Sequence, residues 1–322
     1  MAQTAARHTP VMLDRCLDLL APAFEVEEPL MVDATVGLGG HSEGALKRFP
    51  TLRVIGIDRD PAALEMASER LAPFGDRFTP FLGTYDQIAA ALDGRLANGI
   101  LMDLGVSSMQ LDEVDRGFSY ATDAPLDMRM DPTSGESAAE LLARVDRSEL
   151  IRILRRYGDE KFAPRIADLV IQGREAHPLE TTGQLVEIVR SAIPAPARRT
   201  GGNPAKRTFQ AIRIAVNDEL SILEDAIPAA LSNLSVGGRL VVEAYQSLED
   251  RIVKDYFNSG ANPQLPVGLP MTADEVDSHR TLRLLTRGAE RAPESEAQEN
   301  PRSIPVRLRA IQLLTQWRND VR

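Results

Sequence analysis

The chain is poor in cysteine and in aromatic residues: one Cys, one Trp, and 5% aromatics across 322 residues. A single thiol, Cys16, excludes an intramolecular disulfide and any multi-cysteine metal site, and it fits a reducing compartment. No uninterrupted apolar run is long enough to span a bilayer, and the N-terminus MAQTAARHTP lacks the apolar core of a signal peptide. A cytoplasmic protein with no membrane partner is expected. No G-x-x-x-x-G-K-[ST] string occurs, which argues against ATP hydrolysis on a P-loop. Positive charge is also in deficit, with 37 Lys and Arg against 47 Asp and Glu and a formal net charge of −10. A protein that coats nucleic acid has the opposite balance. Screening over roughly 8 Å nevertheless leaves room for one local basic surface. Acids are missing from Arg190 to Asn217, where the chain carries Arg190, Arg198, Arg199, Lys206, Arg207 and Arg213.

What is present is a regular alternation. Leu30–Thr35, Arg53–Asp58, Phe78–Leu82 and Ile100–Leu104 read as strands, and Ser42–Phe49 and Pro61–Leu71 between them as helices. Asp60 suits an N-cap and Pro61 a first helical turn. Strand–helix alternation with near-continuous apolar strands implies a parallel sheet covered on both faces. The pattern then changes. Ser137–Arg144, Arg147–Tyr157, Phe162–Gln172 and Thr182–Ile193 are all helical in period, with Gly158 as a stop after the second. A Pro- and Gly-rich loop from Pro194 to Pro204 leads to a long helix beginning near Lys206. Strand signals return at Arg239–Tyr245, Thr281–Thr286 and Val306–Leu314, and the acidic Gly288–Arg302 segment reads as a mobile loop. The expected organisation is a sheet domain in two parts, residues 1–112 and 206–322, interrupted by an all-helical substrate-recognition insertion over 113–205.

The first strand ends in Asp33-Ala-Thr-Val-Gly37-Leu-Gly39-Gly40-His41 and opens a helix. Glycines there let the backbone turn tightly and approach a ligand, and the helix start offers free N–H donors. By itself such a loop is often an ordinary turn. Asp58 closes the next strand about twenty residues on, where an acidic residue accepts hydrogen bonds from ribose hydroxyls. The pair points to an adenosine-containing cofactor. From Gly37 the string reads G-L-G-G-H-S, with Ser42 where a dinucleotide loop has its third glycine, and the acid at 33 suits a sulfonium and its amino-acid tail better than a pyrophosphate. S-adenosylmethionine is favoured over NAD. Asp103 ends the fourth strand and is thereby aimed beside the cofactor, although it also suits a plain turn cap.

These residues resemble a known family. His8–Leu13, Asp33–Ser42, Gly56–Pro61, Asp103–Ser108, Arg116–Ser119, Pro125–Pro132, Tyr157–Ala163, Arg207–Ile214 and Ser247–Lys254 are similar, in order, to the motifs of bacterial 16S rRNA cytosine-N4 methyltransferases, the RsmH/MraW family. The string from Pro125 to Pro132, Pro-Leu-Asp-Met-Arg-Met-Asp-Pro, is the least ordinary of them. The resemblance implies an α/β fold, a class I S-adenosylmethionine-dependent methyltransferase with a Rossmann-like doubly wound sheet and an inserted all-helical domain. It implies methylation of a cytidine exocyclic amine in the decoding region of 16S rRNA, within the small ribosomal subunit or its precursor, with no metal required. By motif position, Gly39, Gly40, His41, Asp58, Tyr85, Asp103 and Gln110 would contact the cofactor, and Asp33 and Gly37 join them from the loop reading.

One position departs from the family pattern. The usual Ser-Phe-His-Ser-Leu-Glu-Asp-Arg stands here as Ala244-Tyr245-Gln246-Ser-Leu-Glu-Asp-Arg251, and glutamine cannot act as a base near neutral pH. A cytosine amine is a poor nucleophile because its lone pair is delocalised into the ring. It needs an acceptor for one N–H, and Asp103 is the candidate catalytic residue. Alignment of the reactants contributes roughly 7–11 kcal/mol in such reactions. The [D/N/S]-P-P-[Y/F] string of DNA amino-methyltransferases is absent. The base-stacking partner is left among Phe118, Tyr120 and Tyr245, with Gln246 beside it. Arg198, Arg199, Lys206 and Arg207 are the candidate RNA contacts. The rival classes are a nicotinamide dehydrogenase, which the missing glycine disfavours, and a non-catalytic RNA-binding protein, which would need neither the loop nor Asp58.

Overall fold

The computed structural model describes residues 10–198, 203–262, 272 and 279–317. It comprises two compact units, Met1–Gly105 with Ser221–Arg322, and Val106–Leu220. In the first, seven strands form one sheet: β1 (Leu30–Asp33), β2 (Arg53–Asp58), β3 (Phe78–Leu82), β4 (Ala97–Asp103), β5 (Leu234–Ala244), β6 (Leu282–Leu284) and β7 (Arg307–Leu313). Their order is β3-β2-β1-β4-β5-β7-β6, with the first five parallel and β7 antiparallel to both β5 and β6. After β3 the chain returns across β1 to form β4, so the strand order reverses between β1 and β4. In open α/β sheets that reversal is where ligands bind, beyond the carboxyl ends of the strands. Register brings three acids to that edge. Asp33 lies level with Gly56 and Leu101, Asp58 with Leu82, and Asp103 with Glu243.

The helices in the first part of this unit are α1 (Leu13–Leu20), α2 (Gly40–Arg48), α3 (Pro61–Leu71) and α4 (Ile88–Leu92). The cap expected of Asp60 is made: its carboxylate accepts the Ala62 N–H at 3.1 Å, with Pro61 at the first helical position. Two layers of core flank the sheet. Val32, Ile55, Ile57, Ile100 and Leu240 lie among the helices on one face, and Met31, Val54, Leu101 and Val241 on the other. Burying each such side chain contributes about 1.5–3 kcal/mol. The continuous apolar runs of β1, β4 and β5 thus match strands covered on both sides.

The second unit contains α5 (Ser108–Asp112), α6 (Ala138–Arg144), α7 (Arg147–Gly158), α8 (Ala163–Ala176), α9 (Thr182–Ala192), α10 (Ala195–Arg198) and α11 (Lys206–Asn217). α12 (Glu219–Ser232), α13 (Ser247–Ala261) and α14 (Glu294–Glu299) follow. The helical unit has its own core, with Leu150, Ile153 and Leu154 of α7 against Phe209 and Ile212 of α11. The Pro125–Pro132 string is structural in its backbone. Asn217 receives the Met130 N–H at 2.7 Å and donates to the Met128 carbonyl at 2.7 Å, while Arg116 donates to the Met130 carbonyl at 2.8 Å. Met128 takes a positive φ of 62°, and Gly117 a φ of 72° where a Cβ would come within 2.3 Å of the Pro125 carbonyl.

Three expectations are corrected. The sheet domain does not resume at residue 206, because α11 packs within the helical unit; the units divide at 105/106 and 220/221 instead of 112/113 and 205/206. Gly158 does not stop α7. It is the last residue of the helix, with Asp159 as the left-handed cap, and a Cβ at 158 would meet the Arg207 carbonyl at 2.5 Å, so the glycine is there for close helix packing. The acidic segment is ordered. Glu290 holds Arg15 in a two-point ion pair at 2.7 and 2.8 Å, and Glu296 accepts the Met12 N–H at 2.8 Å. Those partners lie on the N-terminal helix, far away in sequence.

Candidate active site

The loop after β1 is shaped by two glycines in left-handed conformation, Gly37 with φ 49° and Gly39 with φ 76°. Their N–H groups are used locally. Gly37 donates to Asp58 Oδ2 at 2.9 Å and Gly39 to the Val36 carbonyl at 2.7 Å. Asp58 takes a second N–H, from Asp60, on Oδ1 at 2.9 Å. Each oxygen keeps a further lone pair. Burial pushes the Asp58 carboxyl up to about 6, against the pull of those two donors. Asp33 is buried and accepts the Ser42 hydroxyl at 2.6 Å. Burial raises its pKa, opposed by the neighbouring His41. Ser42, in the place of a third glycine, therefore has a use: it holds Asp33.

Asp103 ends β4 one strand away. Its N–H donates to Thr35 Oγ1 at 2.7 Å, tying β4 to the glycine loop. Its carboxylate receives the Tyr245 hydroxyl on Oδ1 at 2.8 Å, while Oδ2 faces His41 Nδ1 at 3.9 Å. Burial raises the Asp103 pKa, with His41 opposing. The other imidazole nitrogen, Nε2, makes a 2.9 Å hydrogen bond with the Val11 carbonyl and stands 3.5 Å from Glu243 Oε2. Glu243 on β5 is fully buried, and neither carboxylate oxygen has a hydrogen-bond partner among the described residues. Three acids, Asp33, Asp103 and Glu243, therefore surround one imidazole. Buried like charges cannot all ionise, and burial holds Glu243 well above the usual carboxylate range. Cys16 Sγ lies with His41 and Glu243 donors inside 4.8 Å, a set with metal-ligand chemistry.

Tyr245 and Gln246 form the turn from β5 into α13. Both N–H groups donate to Glu249 Oε2, at 2.9 and 3.0 Å, which fixes the turn whatever side chain stands at 246. Burial holds the Tyr245 phenol well above its usual range, so it is a donor at every physiological pH. Tyr85 is half-buried against the sheet core at the end of β3. Beside it, Asp86 has a buried Oδ1 without a partner among the described residues, an acceptor available to a ligand's N–H or O–H.

Asp33, Gly37, Gly39, Gly40, His41, Asp58, Tyr85, Asp103, Tyr245 and Gln246 all belong to the sheet unit. Gln110 belongs to the helical unit, where its carboxamide oxygen accepts the Ser107 N–H at 3.0 Å at the start of α5. Arg198, Lys206 and Arg207 are exposed on that same unit, and Arg199 lies outside the described residues. Two members of the basic run are neutralised: Arg213 by Glu219 at 2.8 Å and Arg190 by Glu187 at 3.2 Å. Sequence reading missed Thr35, Asp86 and Glu243. Only Glu243 left a signal, as one acid inside the apolar run Leu240–Ala244.

The donor set suits an adenosine carrying an amino-acid tail: carboxylates at three strand ends, an orphaned acceptor at Asp86, and a glycine turn between them. The chain is similar to several known proteins. A protein named ribosomal RNA small subunit methyltransferase H from Beutenbergia cavernae is 58% identical over 312 residues, 96% of this chain and 93% of the relative. One of the same name from Streptomyces avermitilis is 55% identical over 311 residues, 95% of this chain and 97% of the relative. Among solved structures, a putative rRNA methylase from Clostridium thermocellum aligns at 12% identity with a TM-score of 0.44, over 96% of this chain and 99% of that one. The model of the MraW methylase family matches residues 5–314, and the chain belongs to that family.

Proposed function

We propose that the protein is an S-adenosylmethionine-dependent methyltransferase acting on the exocyclic N4 amine of a cytidine in the decoding region of small-subunit ribosomal RNA. The observation that carries this is the family match over nearly the whole chain, on a sheet whose acids gather at its switch point. S-adenosylmethionine supplies an activated methyl group. Asp58 would hold the ribose hydroxyls, and Asp33 the charged amino-acid tail, with the loop of Gly37, Gly39, Gly40 and His41 beside them. Tyr85 and Asp86 stand on the β3 side of that edge.

Asp103 is the proposed catalytic residue. Its carboxylate accepts one N–H of the amine, lets the nitrogen pyramidalise, and takes up the proton that the nitrogen sheds on gaining the methyl group. Tyr245 holds that carboxylate in place through its 2.8 Å hydrogen bond. Tyr245 and Gln246 are proposed to face the target base, and Arg198, Arg199, Lys206 and Arg207 the RNA backbone. The substrate places the enzyme in the cytoplasm, on the small subunit or its precursor. Among the described residues no helix is long and apolar enough to cross a membrane.

Incubating the protein with isotopically labelled S-adenosylmethionine and small ribosomal subunits lacking the modification tests the reading. Label in N4-methylcytidine, mapped by fragment mass spectrometry to the decoding region, is the expected result. Label in another nucleoside, or in protein, overturns it.

A further inference from the structure

The helical unit carries many cations, and most have an acid at hand. Arg116, Arg129, Arg144, Arg147, Arg152, Arg190 and Arg213 pair with carboxylates on the same unit. Arg174 is occupied by the Leu142 and Val145 carbonyls, each at 2.7 Å. Seven others, Arg155, Arg156, Lys161, Arg165, Arg198, Lys206 and Arg207, are exposed and have no acidic partner among the described residues. All of these but Arg198, which ends α10, are not scattered. The end of α7 lies against the start of α11: Gly158 touches the Arg207 backbone, Gln210 donates to the Tyr157 carbonyl at 3.0 Å, and Arg207 reaches the Asp159 carbonyl at 3.5 Å. Arg155 and Arg156 are in the last turn of α7, Lys161 is in the connection that follows, and Arg165 is in the first turn of α8. Lys206 and Arg207 open α11. One end of the unit therefore gathers six free cations. The acids in that stretch are Asp159, which caps α7, and Glu160, which is buried and accepts the Phe162 N–H.

Helix stability does not account for the arrangement. Cations suit the end of α7, but they oppose the dipole in the first turns of α8 and α11, where no acid stands. Close like charges with no counter-charge also repel. We propose that this end of the helical unit, formed by the α7–α8 connection and the start of α11, is a phosphate-binding surface for the ribosomal RNA substrate. The proposal rests on the methyltransferase reading above and extends its RNA contact from the Arg198–Arg207 run to Arg155, Arg156, Lys161 and Arg165. The occupant is RNA because the six groups are long, separate and solvated, as needed for several phosphates in a row.

The test compares the intact protein with two four-fold variants in binding to small-subunit RNA from 50 to 300 mM salt. In one, Arg155, Arg156, Lys161 and Lys206 become Gln; in the other, the acid-paired Arg144, Arg147, Arg152 and Arg190 do. The first variant should bind RNA more weakly, with its log–log salt slope shallower by roughly 0.7–0.9 for each lost phosphate contact. The second should keep the parent slope, and both should keep the parent affinity for S-adenosylhomocysteine. Equal slopes for the first variant and the parent overturn this surface while leaving the methyltransferase reading intact. A parent that neither binds nor methylates small-subunit RNA overturns that reading first, and this proposal with it. Equal losses in both variants reduce the effect to net charge and also overturn the surface.

Discussion

The Tyr245 hydroxyl donates to Asp103 Oδ1 at 2.8 Å, joining the end of β5 to the end of β4, the strand that borders the sheet's switch point. A hydrogen bond to a charged group contributes about 1.5–3 kcal/mol. Tyr245→Phe should therefore slow methyl transfer by about ten-fold or more while leaving S-adenosylhomocysteine affinity unchanged. Rates and titration calorimetry on the same preparation separate the two effects. Equal losses in both would mean that Tyr245 supports the cofactor site and not the reacting amine.

Asp58 should make cofactor binding depend on pH. Its pKa is raised to about 6 by burial, so the folded protein takes up this proton as pH falls through 6. The ionised form is the better acceptor for two ribose hydroxyls. Affinity for S-adenosylhomocysteine should rise from pH 5 to 7 and level off above. Asp58→Asn should bind about ten-fold more weakly at pH 7.5 and lose the dependence in this range. A parent curve that is flat between pH 5 and 7 would detach Asp58 from the ligand.

Gln246 occupies the position where the family pattern has histidine. Glu249 secures the backbone at 245 and 246, so the turn does not rest on the side chain at 246 alone. We expect Gln246→His to retain most activity. Gln246→Leu should lose more, since a polar partner left unpaired costs about 1–3 kcal/mol. The parent pH–rate profile should show no inflection near 6.5, the ordinary histidine value, that disappears in Gln246→Leu. A Gln246→His enzyme many-fold faster than the parent, with a new inflection there, would restore the base role to this position.

Cys16, His41 and Glu243 have the chemistry of a metal site, but the hydrogen bonding favours another use. His41 Nε2, the nitrogen facing Glu243, already contacts the Val11 carbonyl at 2.9 Å, so it carries the hydrogen and lacks the lone pair a metal needs. Burial also pushes the Glu243 carboxyl well above the usual carboxylate range, which disfavours the ionised form that a metal binds. Dialysis against EDTA should leave methyl transfer unchanged, and elemental analysis should find no stoichiometric zinc. Loss of activity restored by zinc would reverse this assignment.

Local pattern was enough to read most of the fold. Continuous apolar runs marked β1, β2 and β4 because strands covered on both faces have no polar side to show. Asp60 and Pro61 marked the start of α3 because a cap is a contact between near neighbours. The glycine turn and Asp58 were legible for the same reason, as features of strand ends with fixed spacing. What escaped was set by contacts distant in sequence. The acidic segment looked mobile because its partners, Met12 and Arg15, lie more than 270 positions away. The helix starting at Lys206 was assigned to the sheet because only its packing on α7 shows where it belongs. Arg190 and Arg213 are different: their partners Glu187 and Glu219 stand only three and six positions away, just outside the acid-free stretch from 190 to 217. Glu243 was visible as one acid in an apolar strand, yet only the folded chain set it beside His41. Residue type declares which groups can carry charge; whether a charge is paired, buried or free depends on neighbours that only the tertiary fold brings together.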